Sequence, residues 1–122
     1  MNPLHNKMIA LVMCGGKGIR LRHFKSIEKP LLDLKGKAMI EYVLDALVYS
    51  QKFRRIIAVS SPFSSKTTTF LYYHPYYSNG LIEVIETEGI SYTEELSFIL
   101  NKLKQDRVLT VSADLPLLNS NI

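Results

Sequence analysis

Three places in the chain set phosphate-handling or metal-handling groups at the ends or edges of apolar runs. The first is Cys14-Gly15-Gly16-Lys17-Gly18-Ile19-Arg20, which follows directly on the apolar stretch MIALVMC, residues 8–14. Glycine has no Cβ, so the backbone N–H groups of such a loop can approach phosphate oxygens closely and point at them in succession. Lys17 and Arg20 add formal charge, and a guanidinium engages two phosphate oxygens at once. The second place is Glu28-Lys29-Pro30. Proline biases the residue before it toward extended backbone, so Lys29 is expected to be extended, with its ammonium aimed at the same anion. The third is Asp114, in Ser-Ala-Asp-Leu-Pro, immediately beyond the apolar residues 108–112. A carboxylate there can hold Mg²⁺ against triphosphate oxygens, because magnesium prefers oxygen ligands and keeps several waters.

Each signal has a plainer reading when it stands alone. The glycine loop lacks the closing Gly-Lys-Ser/Thr of a P-loop and the GxGxxG spacing of a dinucleotide site, which leaves a flexible basic turn as its alternative. A lone Lys-Pro is most often a surface lysine before a turn. An isolated Asp after a strand serves equally well as a turn residue or a helix N-cap.

The charge distribution favours a small polyanion. The formal net charge is +4, and the stretch holding Lys17, Arg20, Arg22, Lys25 and Lys29 against Glu28 carries all of it; the ten bases and ten acids elsewhere cancel. A nucleic-acid binder more often spreads its bases over a face, whereas one concentrated cationic loop suits a triphosphate.

These groups need a scaffold, and the apolar periodicity supplies one. Residues 8–14, 55–60, 81–85 and 108–112 read as strands, the first and second as short buried runs of the kind that parallel sheets use. Residues 38–50 place Met39, Ile40, Val43, Leu44, Leu47 and Val48 at helical spacing. Residues 64–73 read as a helix ended by His74-Pro75. Residues 93–103 read as an amphipathic helix with Leu96, Ile99, Leu100 and Leu103 inward, and Glu94 and Glu95 in its first turn suit the helix dipole. Residues 30–36 read as a brief extended piece closed by Gly36. The tyrosines Tyr72, Tyr73, Tyr76 and Tyr77 read either as a loop packed by its own aromatics or as a platform for a base or an interface patch. The alternation of strand and helix predicts an α/β fold around a parallel sheet, and in such sheets ligands gather beyond the carboxyl ends of the strands. The glycine loop and Asp114 both fall at that edge. With 122 residues, 47% of them hydrophobic and 21% charged, the chain suits one soluble globular domain. Residues 8–14 are far too few to span a bilayer, the start carries no signal-peptide pattern, and the lone thiol of Cys14 forms no intrachain disulfide.

Taken in order, strand–GGxGxR–loop–KP–strand–D–x–P resembles the GT-A-like nucleotidyltransferase superfamily, which includes sugar-phosphate nucleotidyltransferases and molybdenum-cofactor guanylyltransferases. Within it, the chain is most similar to the adenosylcobinamide-phosphate guanylyltransferases. The residues that carry the likeness are Gly-Gly-Lys-Gly-Ile-Arg, Glu-Lys-Pro-Leu, Ile-Ala-Val-Ser-Ser-Pro with Lys66-Thr67, the stretch from Glu86 through Gly89, Tyr92 and Glu95 to Leu96, and Ser112-Ala113-Asp114-Leu115. Cys14 stands where alanine is usual, and the loop 19–27 is longer and more basic than in related sequences.

The resemblance implies a Rossmann-like parallel-sheet sandwich, with residues 1–122 forming the nucleotide-binding part of a single domain that looks truncated at its C-terminus. It implies GTP and a phosphorylated small-molecule acceptor as substrates and Mg²⁺ as the metal, while the lone thiol suits a cytoplasmic setting and the charge pattern and short apolar runs point away from nucleic acid and membrane insertion. Gly15, Gly16, Lys17, Gly18 and Arg20 would cradle the triphosphate, Lys29 would neutralise charge at the α-phosphate, and Asp114 would bind the metal. Ser60, Ser61, Thr87, Glu88 and Gly89 would lie near base and ribose. The alternatives are a molybdenum-cofactor or sugar-phosphate nucleotidyltransferase, or a non-catalytic nucleotide-binding module. An open strand edge left by the expected truncation would favour a homodimer. The five bases between residues 17 and 29 repel one another when no anion is present, so amide exchange across residues 15–29 is expected to slow when GTP and Mg²⁺ are added; equal exchange with and without nucleotide would sink the loop's assignment.

Overall fold

Apolar side chains on both faces of a strand require a cover on each side, and strand β1 (Met8–Met13) has one. The computed structural model describes residues 8–14, 28–88, 92–103 and 107–113. In it, β1, β4 (Phe53–Ser60), β5 (Glu83–Glu86) and β6 (Val108–Ser112) form one sheet in the order β5-β4-β1-β6, every pairing parallel. Along β1, Ala10, Val12 and the following Cys14 face Ile40, Val43, Leu44 and Leu47 of α1 (Met39–Ser50) and Leu71 of α2 (Ser65–Tyr72). The alternate residues Ile9, Leu11 and Met13 face Ile99 of α4 (Tyr92–Leu103), with Leu96, Leu100 and Leu103 packed beside it. The period of two in the strand thus meets the helical period on both sides.

The order of strands sets the position of the site. After β1 the chain builds β4 and then β5 outward on one side. It then crosses back through α4 to lay β6 on the far side of β1. Helices α1 and α2 cover one face and α4 the other, as right-handed crossovers demand. The direction of winding reverses between β1 and β6, and in open parallel sheets this is where a crevice forms at the carboxyl edge.

Between β1 and α1 the chain departs from the expected extended piece at residues 30–36. Lys29–Leu31 form a 3-10 turn, followed by an antiparallel hairpin of β2 (Asp33–Leu34) and β3 (Lys37–Ala38). The hairpin closes through Lys35 at φ 55° and Gly36 at φ 88°, the double left-handed turn that suits the twist of a two-stranded ribbon. Extended backbone falls on Glu28 (φ −103°, ψ 128°) and not on Lys29, because two consecutive i→i+3 bonds, Leu31 N to Glu28 O at 2.9 Å and Leu32 N to Lys29 O at 3.1 Å, outweigh the bias of the residue before proline. Strand β5 begins two residues later than its apolar pattern suggests. The N–H groups of Leu81 and Ile82 donate to Tyr76 O and tie that stretch to α3 (Pro75–Ser78) instead of to the sheet. The tyrosines mostly satisfy one another and nearby acids. Tyr72 meets Tyr77 edge-on at 5.1 Å and donates to Glu86 at 2.7 Å, and Tyr76 donates to Asp45 at 2.6 Å, while Tyr73 stays 85% exposed.

Cys14 ends β1 inside this core. Its thiol donates to Val12 O at 3.4 Å and is buried, and burial pushes its pKa up to about 12. A thiol so placed is a small hydrophobe and not a nucleophile. Cys14→Ala is therefore expected to leave nucleotide affinity unchanged, and iodoacetamide at pH 8 should label the folded protein far more slowly than the urea-unfolded chain. Equal labelling of both, or a loss of about tenfold in affinity, roughly 1.4 kcal/mol, would give the thiol a direct role.

Candidate nucleotide site

The carboxyl ends of the four parallel strands come together in one ledge. Met13 of β1 pairs with Val59 of β4 on one side and Ser112 of β6 on the other. Past the strand ends the ladder continues by one step: Cys14 N donates to Val59 O at 2.9 Å and Ala113 N donates to Met13 O at 3.1 Å. The chain that enters the glycine loop and the chain that carries Asp114 therefore leave from adjoining strand ends, 99 residues apart in sequence, at the reversal of strand order. Gly15, Gly16, Lys17, Gly18, Arg20, Gly89 and Asp114 themselves lie outside the described residues.

On the β4 side the ledge is built from small hydroxyl residues. Thr87 closes against Ser60 O twice, through its N–H at 2.7 Å and its hydroxyl at 3.1 Å. Ser61 and Ser64 form a reciprocal box. Ser64 Oγ accepts from Ser61 N and donates to Ser61 O, both at 3.1 Å, and Ser61 Oγ accepts from Phe63 N at 3.2 Å. Ser60 is fully buried and Ser61 nearly so, and Ser60 Oγ has no hydrogen-bond partner among the described residues. Of the residues expected near base and ribose, the structure thus brings Ser60, Ser61 and Thr87 together. The two serine side chains lie below the surface, whereas Thr87 is half-buried and Glu88 exposed.

Lys29 reaches solvent from the 3-10 turn, whose Pro30 is buried and whose residues pack against α1 and α2. What holds the turn is a residue that the sequence marks only as the one acid in a basic stretch. The Glu28 carboxylate accepts from Thr67 N at 2.8 Å, Thr67 Oγ1 at 2.6 Å and Lys66 N at 3.0 Å, at the start of α2. The one sequence signal for this contact is an omission, the lack of an acid in the first turn of α2; in the structure Ser64 supplies no side-chain cap either.

Among the described residues no three His, Cys, Asp or Glu side chains cluster as a metal site. The strand ends supply carbonyls and hydroxyls, so a magnesium ion here would rest on a carboxylate such as Asp114, on substrate phosphates and on water, a sparse protein donor set that this ion commonly accepts. A concavity of about 530 Å³ lies between α1 and the α2–α3 turn, lined by Lys37, Glu41, Asp45, His74 and Tyr76 among others. Its acids are already engaged: Asp45 by Lys37 and Tyr76, and Glu41 by His74 at 3.2 Å and by Ala38 N at 3.2 Å. No helix among the described residues is long and apolar enough to cross a membrane.

Known proteins share both the sequence order and the fold. The chain is 38% identical over 115 residues to an adenosylcobinamide-phosphate guanylyltransferase of Methanocaldococcus jannaschii, a match covering 94% of this chain and 56% of that protein. The chain thus spans about half the length of this curated relative. Among solved structures, Rv0371c from Mycobacterium tuberculosis superposes with a TM-score of 0.70 at 15% identity, over 94% of this chain and 56% of that one. A cytidylyltransferase from Leptospira borgpetersenii superposes with a TM-score of 0.66 at 14% identity, over 94% and 45%. At such identities the two structures speak for the fold alone, a mixed α/β sandwich around a parallel sheet. The MobA-like NTP transferase domain matches residues 10–122, almost the whole chain from β1 onward. With that match, the relative from Methanocaldococcus and the winding reversal between β1 and β6, the chain belongs to the family of MobA-like NTP transferase domains.

Proposed function

We propose that this chain forms the nucleotide-binding part of a guanylyltransferase that moves GMP from GTP to adenosylcobinamide phosphate and releases pyrophosphate. The observation that carries this reading is the adjacency of Cys14 and Ala113 at the carboxyl edge. It gives the glycine loop and the Asp114 segment a common origin at the place where parallel sheets bind nucleotides. The name of the Methanocaldococcus relative supports the choice of acceptor and of guanine.

The reaction is an in-line displacement. An anionic oxygen of the acceptor phosphate forms a bond to the α-phosphorus of GTP. The bond from that phosphorus to the bridging oxygen breaks, and pyrophosphate leaves with the electron pair. The nucleophile is already charged, so no general base is required, and the protein contributes position and charge stabilisation. Backbone N–H groups of Gly15, Gly16 and Gly18 take the phosphate oxygens, with Lys17 and Arg20 paired to the β- and γ-phosphates. Lys29 faces the α-phosphate, where negative charge grows on the way to the transition state. Thr87, Glu88 and Gly89 line the base and ribose side, over the floor made by Ser60 and Ser61. Asp114 would hold Mg²⁺, which neutralises triphosphate charge when bound. The protein works in the cytoplasm, as a homodimer.

These roles separate in kinetics. Lys29→Ala is expected to lower kcat for pyrophosphate release by roughly a hundredfold while GTP affinity changes little, because its partner charge develops late. Arg20→Ala should weaken GTP binding by about tenfold, since the charge it meets is present from the start. Asp114→Ala should abolish the Mg²⁺ dependence of binding and turnover with a normal melting curve. Full metal dependence in that variant would make Asp114 a turn residue and leave the site without its metal ligand.

A further inference from the structure

Glu28 stands immediately before Lys29, yet its side chain is committed 38 and 39 residues away. The first N–H groups of an α-helix have no partner within the helix, and their positive end favours a carboxylate. Helix α2 offers Lys66 N and Thr67 N in that position and adds the Thr67 hydroxyl, and Glu28 takes all three, at 3.0, 2.8 and 2.6 Å. Bonds of this kind to an ionised acceptor are about twice as strong as neutral ones. On the other side of Lys29, the 3-10 turn closes through Leu31 N and Leu32 N, and Pro30 is buried. Lys29 is therefore fixed between two anchors, the clasped carboxylate before it and the closed turn after it. Helix α2 itself follows Ser61 and the short turn Pro62–Ser64 at the end of β4, so the clasp refers Lys29 to the sheet's carboxyl edge.

We propose that Glu28 is the positioning residue for Lys29: its grip on α2 sets where that ammonium stands over the edge and ties it to the strand that ends in Ser60 and leads into Ser61. The proposal rests on the reading of Lys29 as the group that meets the α-phosphate. Geometry is what such a group contributes, since a displacement on the order of 1 Å can cost about a hundredfold in rate. GTP affinity, which the glycine loop and Arg20 dominate, does not depend on the clasp.

Two variants test it from opposite ends. Glu28→Gln keeps the shape but turns one acceptor into a donor facing an N–H, and Thr67→Val removes the hydroxyl from the far side. Glu28→Gln should lower kcat by about tenfold or more with less than about a threefold change in KM for GTP, and the effect should vanish in a Lys29→Ala background, because coupled residues are not additive. Thr67→Val should lower kcat in the same direction, less strongly. Equal losses with and without Lys29, or no loss, would overturn the proposal and leave Glu28 a helix cap. A second measurement reads the clasp without catalysis. In Thr67→Val the backbone amide resonances of Lys29, Leu31 and Leu32 should shift and their exchange quicken, while amides of β1 stay unchanged. Unmoved resonances at those three residues overturn the proposal whatever the turnover. If the unmodified protein releases no pyrophosphate from any nucleoside triphosphate, the guanylyltransferase reading falls, and the amide measurement alone then decides the clasp.

Discussion

Strand β1 has a neighbour on each edge and a helix layer on each face, and the position of the site follows from that enclosure. Ile9, Ala10, Leu11 and Val12 have no solvent exposure at all. Burying side chains of this size is worth about 1.5–3 kcal/mol each for the larger ones, before the entropy of ordering them is counted. A strand held on four sides leaves its polar chemistry only one exit, along its own direction. Because β4, β5 and β6 run parallel to it, their exits coincide. Ser60 and Ser61 at the end of β4, Thr87 after β5, Cys14 after β1 and Ala113 after β6 therefore stand along one rim.

What the sheet does not position, hydrogen bonds across the sequence do. Between β1 and α1, the Glu28 carboxylate replaces the cap that α2 lacks. The exchange serves both partners: the helix gains an anion at its positive end, and the basic connection gains a fixed terminus. Arg55 and Glu83 make a comparable long-range link between β4 and β5 through a two-pronged contact at 2.8 and 2.7 Å. The Arg55 guanidinium holds the Glu83 carboxyl below its ordinary range. Both side chains of that pair are more than a third exposed, so water screens most of its worth.

The elements that were legible in the sequence are those whose signal is local. The apolar runs gave β1, β4 and β6, and the helical spacing of Ile40, Val43, Leu44 and Leu47 or of Leu96, Ile99 and Leu103 gave α1 and α4, because burial on one side leaves a period that can be read. Glu28 was not legible. Its partners stand nearly forty residues away, and nothing beside it in the chain distinguishes a clasp from a solvated acid. Lys29 followed its neighbours' hydrogen bonds and not the backbone bias of Lys-Pro. Leu81 and Ile82 are apolar enough for a strand but answer to the Tyr76 carbonyl. In the candidate site, the adjoining exits of β1 and β6 at Cys14 and Ala113 could be inferred from parallel topology alone. The burial of Ser60 and Ser61 could not, since their short side chains are equally at home on a surface.

The fate of the phosphorus atoms is the sharpest test of the proposed nucleotidyl transfer at the edge between β1 and β6. GTP labelled either at the α- or at the γ-phosphorus is incubated with the protein, Mg²⁺ and adenosylcobinamide phosphate, and the products are separated. Nucleotidyl transfer moves the α label to the acceptor and releases the γ label in pyrophosphate. A γ label on the acceptor, or released as orthophosphate, would mean that the bond between the β- and γ-phosphates is the one broken, and would contradict it.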